Sequence, residues 1–311
     1  MSAASSVAPP RPERDLDKGD PASSPLGGRL GLNNPDEWWP TPAAMKAYEA
    51  AGFAWVQVRT PPCAVLRDAR AAREHARALH RALGLTRLRL VVHGPDGLSA
   101  GLPAHDRALD GLITYAAEAG AELIVYHGRS LPASSPGLRR RELAEERSLR
   151  RAARRLESLR LTLAIENLAP VFPGAAPAVG YDPLGTHRLV RRVGSDRVGM
   201  CLDVGHAHIV LDAAGADVAE CARSVVSAVA LFRLHDNLGA RLRGEAQAGS
   251  DPLLLDLHLP PGRGSVPWGA LAPLLSRHGA PLLLEIHPSH RPPLTELASA
   301  TADLLGLVPT R

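Results

Sequence analysis

MCLDVGHAHI, residues 200 to 209, opens as an apolar, β-rich run and then places Asp203, His206 and His208 within six positions. A strand that only has to pack does not end in three ionisable side chains. One that ends at the mouth of a site does, and the same pattern recurs along the chain.

Short β-rich runs ending in polar residues are read at RLGLNN (29 to 34), WVQVRT (55 to 60), LRLVVHG (88 to 94), ELIVYHG (122 to 128), LTLAIEN (161 to 167), VGMCLDV (198 to 204), LFRLHDN (231 to 237) and PLLLEIH (281 to 287). Between and after them, helical spacing predicts helices over 41–51, 66–83, 105–119, 141–159, 183–193, 214–229, 268–278 and 293–306. Gly52, Gly84, Gly120, Gly194 and Gly279 are read as helix terminators. Eight βα units without a break in composition imply an α/β protein built as a single (β/α)8 TIM barrel over residues 28–311. An open doubly wound sheet would carry G-x-G-x-x-G after its first strand, and RLGLNNPDEWW is no such motif.

Residues 1–27 are rich in Ser, Pro, Ala and charge, have almost no large apolar side chain, and are expected to form a disordered tail. The remainder of the 311 residues, 45% hydrophobic overall, is long enough to bury a large core. Cys63, Cys201 and Cys221 show neither paired nor metal-type spacing, which suggests a reducing compartment. With no signal-peptide core and no stretch of about 18 uncharged apolar residues, a cytoplasmic protein without membrane attachment is expected. The net charge of +4 comes largely from arginine, much of it in RRRELAEERSLRRAARRLESLR (139 to 160) among interleaved glutamates. That pattern is read as a solvated outer helix rather than a nucleic-acid face. Lysine occurs only at positions 18 and 46, in the tail and in the first helix, which speaks against Schiff-base chemistry.

In such a barrel the active site lies at the C-terminal ends of the strands. Strands three to eight end in His93, His127, Glu166, Asp203, His235 and Glu285. Glu166 and Glu285 follow apolar runs that bury them, and a buried carboxylate needs a cation or a proton. Oxygen and imidazole donors without thiolates suit a divalent metal, namely zinc, manganese, magnesium or iron. In DLHLPPGRGSVPW (256 to 268), Asp256 and His258 share one side of an extended segment ahead of a glycine turn, and with His206 they could form a further metal subsite. The competing reading of that pair is a polar surface loop. His127 alone could equally be a core histidine, Asp236 and Asn237 ordinary turn formers, and His208 structural.

Together, VVHGP, IVYHG, AIEN, CLDVGHAH, LHDN, DLHLPPGRGSVPW and LLLEIHP resemble the xylose isomerase-like barrel superfamily from about residue 90 to residue 288. The epimerase branch implies a metal held by Glu166, Asp203, His235 and Glu285, with His206 and Arg241 at substrate-binding positions. The endonuclease IV branch implies a multinuclear zinc site with His93, His127, His206, Asp256 and His258 as additional ligands. Two departures stand out. Asp96 occupies the place of the endonucleases' aromatic wedge and would repel DNA phosphates, and Phe172 replaces a carboxylate of the closest ketose 3-epimerases.

The resemblance therefore implies a divalent-metal-dependent sugar or sugar-phosphate isomerase or epimerase. Glu166 and Glu285 would serve as base and acid on either side of a metal-stabilised enediolate. The substrate would be a carbohydrate-like small molecule, and a homo-oligomer is compatible with the sequence. Trp38 and Trp39 would form an apolar wall or pack their loop, and Arg59 would bind an anion or an internal carboxylate. The alternative is an endonuclease IV-like zinc phosphoesterase. A non-catalytic metal- or ligand-binding barrel ranks last, because both glutamates are present.

Overall fold

Strand alternation decides which side chains face the barrel axis, and in the computed structural model, which describes residues 28–35, 39–240 and 254–307, that alternation is regular. The barrel strands are β1 (Leu30–Asn33), β2 (Trp55–Arg59), β3 (Arg89–His93), β4 (Ala121–Tyr126), β5 (Thr162–Glu166), β6 (Val198–Asp203), β7 (Val229–Leu234) and β8 (Leu282–Leu284). Each pairs in parallel with its sequence neighbours, and β8 closes on β1, with Leu30 opposite Leu282. The chain is therefore a closed (β/α)8 barrel.

Inside it, Trp55, Val91, Leu123, Val125, Ala164, Cys201, Leu231 and Leu283 form one apolar plug. The alternate residues, such as Leu163, Ile165, Met200 and Leu202, face the helices and join the outer core. Because the side-chain period of a strand is two, the plug dictates what lies above it. Val91 carries His93, Val125 carries His127, Ala164 carries Glu166, Cys201 carries Asp203, and Leu283 carries Glu285. Leu231 carries both Arg233 and His235. At the opposite end, Gly31 makes room for Trp55, since a Cβ there would stand 2.7 Å from that residue's Cβ.

The helices are α1 (Pro42–Ala50), α2 (Cys63–Leu66), α3 (Ala69–Leu83), α4 (Pro103–Ala119), α5 (Leu138–Leu159), α6 (Pro183–Val193), α7 (Val204–Ala213), α8 (Val218–Val225), α9 (Trp268–Arg277) and α10 (Leu294–Leu305). Several begin with a side-chain cap: Thr41 accepts from the amide of Ala44, and Asp68 from those of Arg70 and Ala71. Gly120 and Gly194 end α4 and α6 in the left-handed conformation, whereas α9 ends at an extended His278 rather than at Gly279.

Two expected helices differ. The run predicted over 66–83 is broken where Asp68 caps a new helix. The run predicted over 214–229 shortens to α8, and α7 precedes it as a separate helix starting directly from β6. α7 has no polar stripe because it is covered on nearly every side, which removes the periodicity by which helices are recognised.

Arginines of α5 pair both along the helix and with its neighbours: Arg151 pairs with Asp106 of α4 at 2.9 Å, and Arg150 at 2.9 Å with Glu146 of α5 itself, which also holds Arg192 of α6 at 3.0 Å. Among the described residues no helix is long and apolar enough to cross a membrane. The tail assigned to residues 1–27, together with Trp38 and Arg241, lies outside the described residues.

Candidate metal centre and active site

β6 runs straight into α7, and Asp203 sits at the junction as its N-cap, accepting from the His206 amide at 2.7 Å. Gly205 lies in the first turn of that helix. Asn167, one residue past β5, stitches this junction to its neighbour: its side chain accepts from the Asp203 amide at 2.9 Å and donates to the Asp203 carbonyl at 2.9 Å. The Asn167 carbonyl accepts from Nδ1 of His206 at 2.9 Å, which leaves Nε2 of that ring pointing into the mouth. A histidine fixed through Nδ1–H by a carbonyl is the usual preparation of a metal ligand.

His258 is prepared in the same way. Its Nδ1 meets the Glu285 carbonyl at 3.0 Å, and its backbone is left-handed at φ 48°. That conformation is uncommon for a residue with a Cβ and persists where the surroundings enforce it. The Nε2 atoms of His206 and His258 converge on Oδ2 of Asp256 at 3.2 and 3.0 Å. His235 stacks on His258 with ring centroids 4.2 Å apart, and its Nε2 lies 3.7 Å from Oδ1 of Asp256.

The loop that carries Asp256 and His258 is fixed by Asp236. Its carboxylate is fully buried and accepts from the amides of Asn237, Gly262 and Val266 and from the indole of Trp268. Asp236 is therefore structural, as is His208, whose ring bonds Ser265 at 2.9 Å.

On the opposite flank, His93 directs Nδ1 to the Gly94 carbonyl at 2.8 Å, and Nδ1 of His127 lies 3.2 Å from Asp96. Their Nε2 atoms lie 3.7 and 3.6 Å from Oε2 of Glu166. Arg59 donates to the carboxylate of Asp96 at 2.6 Å. Trp39 packs edge-on against His75 of α3, with centroids 4.8 Å apart.

The two flanks meet at Arg233. This fully buried guanidinium donates to both oxygens of Glu166 and to Gln57, and lies 2.9 Å from Glu285. Sequence reasoning missed it. The available signal was an arginine between Phe232 and Leu234, on the same strand face as His235.

Burial opposes ionisation of Glu166, yet Arg233, aided by His127, holds its carboxyl well below the usual carboxylate range. Glu285 is likewise held at about 2, burial being outweighed by Arg233 and His258. Burial pushes His127 down to about 4, which keeps its ring neutral. In the Asp256 cluster, burial is outweighed in the other direction: Asp256 raises His258 to about 9, and Asp203 with Asp256 raises His206 well above the ordinary histidine value.

Three groups place potential ligand atoms within 4.8 Å of one another: His206, His235, Asp256 and His258; His93, His127 and Glu166; and Glu166, Asp203 and His206. Eight of the nine expected ligands fall in these groups, and the ninth, Glu285, joins them through Arg233. The expected shell of Glu166, Asp203, His235 and Glu285 is nevertheless interrupted, because Arg233 lies between its two glutamates. The imidazole side fits a metal better. Both ring nitrogens of His235, Oδ2 of Asp203, Oδ1 of Asp256 and Nε2 of His93 and His127 are buried without a hydrogen-bond partner. Such atoms are costly to leave bare, and all are metal donors.

A barrel whose strand ends present histidines and carboxylates in this order defines a class of proteins. Residues 45–305 match the family described as the xylose isomerase-like TIM barrel, and the chain belongs to that family. Among solved structures it is similar to a D-tagatose 3-epimerase-like protein, at a TM-score of 0.66 and 17% identity over 90% of this chain and 98% of that one. It is also similar to the 3-keto-D-glucoside 4-epimerase YcjR of E. coli, at 0.64 and 13% over 89% and 98%. The probable 3-DHS dehydratase AsbF of Bacillus anthracis matches at 0.62 and 12% over 89% and 98%. At these identities the likeness concerns the fold. No curated protein matches the chain.

Proposed function

We propose that the protein is a metal-dependent isomerase or epimerase acting on a small carbohydrate-like substrate. The observation that carries this reading is the pair Glu166 and Glu285 facing one guanidinium, beside His93, His127 and His235, each with a buried ring nitrogen that lacks a hydrogen-bond partner. Moving a proton next to a carbonyl requires a carboxylate base and positive charge near the oxygen that becomes anionic. A bound divalent ion would supply Lewis-acid polarisation of that oxygen.

Glu285 is the better placed base, since 11% of its side chain reaches the mouth and none of that of Glu166 does. Glu285 takes the proton from the carbon beside the carbonyl. In an isomerisation the same carboxyl returns it. An epimerisation also needs a proton donor on the other face, and Glu166, which Arg233 holds ionised, would serve there only after taking up a proton from solvent. His206 and Arg241 would orient hydroxyl or phosphate oxygens. A cavity of about 290 Å³ beside the mouth, lined by His127, Arg129, Glu145, Glu166, Gly180 and Arg188, has the size of a small-molecule subsite.

A second reading, a multinuclear zinc phosphoesterase, draws on the separate group of His93, His127 and Glu166. Asp96, with 59% of its side chain exposed at that rim, opposes a nucleic-acid substrate.

The test is solvent deuterium exchange at the carbon next to the carbonyl across a panel of ketoses and keto-glycosides, followed by NMR with zinc-, manganese- or magnesium-loaded protein. Exchange that disappears in Glu285→Gln is expected. Cleavage of abasic DNA or a phosphomonoester, without exchange on any sugar, would overturn the reading.

A further inference from the structure

Nη1 of Arg233 lies 2.8 and 2.9 Å from the two oxygens of Glu166 and 2.9 Å from Oε2 of Glu285. Three carboxylate oxygens gathered at one distance around a single atom is the arrangement a small cation imposes. Nη2 is held at 2.6 Å by Gln57 of β2, inside the barrel. The side chain rises from the apolar plug between Leu231 and the mouth, so the guanidinium is anchored from below. A divalent ion placed between the same carboxylates would stand against a fixed positive charge in a dry site, where Coulomb repulsion is least screened.

The neighbouring donors show the opposite condition. His235 makes no hydrogen bond through either ring nitrogen, although Nε2 lies 3.0 Å from Oδ1 of Asp203. The ring is fully buried, so water does not satisfy it. Donors bound to a zinc ion at about 2.0–2.1 Å stand about 3.3 Å apart along a tetrahedral edge. The separations from Asp256 to His258, His206 and His235 are 3.0, 3.2 and 3.7 Å.

We propose that Arg233 stands in for a divalent ion between Glu166 and Glu285, and that this chain binds its ion instead in the adjoining cluster of His206, His235, Asp256 and His258. The central positive charge is then part of the polypeptide and is not removed by chelators, whereas the rim ion is. The assignment concerns where charge is held and stands apart from the reaction proposed above.

Zinc binding to the EDTA-stripped full chain, measured by equilibrium dialysis with metal analysis, tests it without reference to activity. His258→Asn and Asp256→Asn are expected to weaken binding on the order of 100-fold or more, and Glu285→Gln to leave it within about threefold. Arg233→Met leaves two carboxylates without their cation. It is expected to lower the melting temperature of the stripped protein, to regain it when zinc or manganese is added, and to take up one more ion per chain than the unmodified protein. Weakening by Glu285→Gln equal to that by Asp256→Asn, or a folded Arg233→Met protein that takes up no further ion, would overturn the proposal. If Arg233→Met does not fold, the comparison of Glu285→Gln with Asp256→Asn decides.

Discussion

Gly205 and His235 occupy space that allows only one of them a side chain: a Cβ at position 205 would lie 2.2 Å from Cε1 of the imidazole. In a helix interior, glycine to alanine ordinarily stabilises by about 1 kcal/mol. Here the sign reverses. Gly205→Ala displaces the ring that stacks on His258, costs about 1–3 kcal/mol and weakens zinc binding at least tenfold. Urea unfolding and metal titration of the same variant check both parts.

Asp236 accepts from four donors, three of which, the amides of Gly262 and Val266 and the indole of Trp268, belong to the loop that delivers Asp256 and His258. Asp236→Ala leaves them bare, with a destabilisation of at least about 3 kcal/mol expected from chemical denaturation. Glu74, 65% exposed and paired with Arg70 along α3, serves as the control, and its loss should cost under about 1 kcal/mol.

The grip of Arg233 on Glu285 predicts the acid limb of stability. The folded carboxyl sits at about 2, against 4.5 for the free group. Because the folded value is the lower one, its contribution is complete above about pH 4.5 and is lost as the pH falls towards 2. Glu166 shifts in the same direction. Unfolding free energies measured between pH 6 and pH 2 should fall by a few kcal/mol across that window, and by less in Glu285→Gln.

Asn167 orients Asp203 and, through its carbonyl, His206. Asn167→Ala removes the two side-chain bonds to the Asp203 backbone and is expected to cost about 2 kcal/mol and to weaken metal binding 10- to 100-fold. Asn167→Asp, which sets a buried carboxylate oxygen against the Asp203 carbonyl, should cost at least as much.

Strand positions were legible because each is an apolar run ending in a polar residue, and the ends named from sequence are the side chains found at the mouth. Local pattern could not reveal what sits between them. Arg233 looks like an odd residue in an apolar strand until barrel closure brings Glu166, Glu285 and Gln57 around it from three other strands. α7 was hidden because a helix covered on nearly every side has no stripe. Arg59 invited an anion because Asp96, which pairs with it, lies 37 residues further along the chain. Asp256 and His258, which could have been a surface loop, are committed to the mouth by hydrogen bonds from outside their own segment.

The Asp236 clamp also bears on selectivity among ions. A loop pinned at Gly262, Val266 and Trp268 cannot widen to suit what enters, and His258 is already held in a backbone state it would leave if released. The gap between the imidazoles is thus a fixed gauge. For the ion proposed above, zinc, content with four short bonds to nitrogen and oxygen, would match it, whereas calcium, seeking six to eight oxygens at longer range, would find neither the room nor the partners.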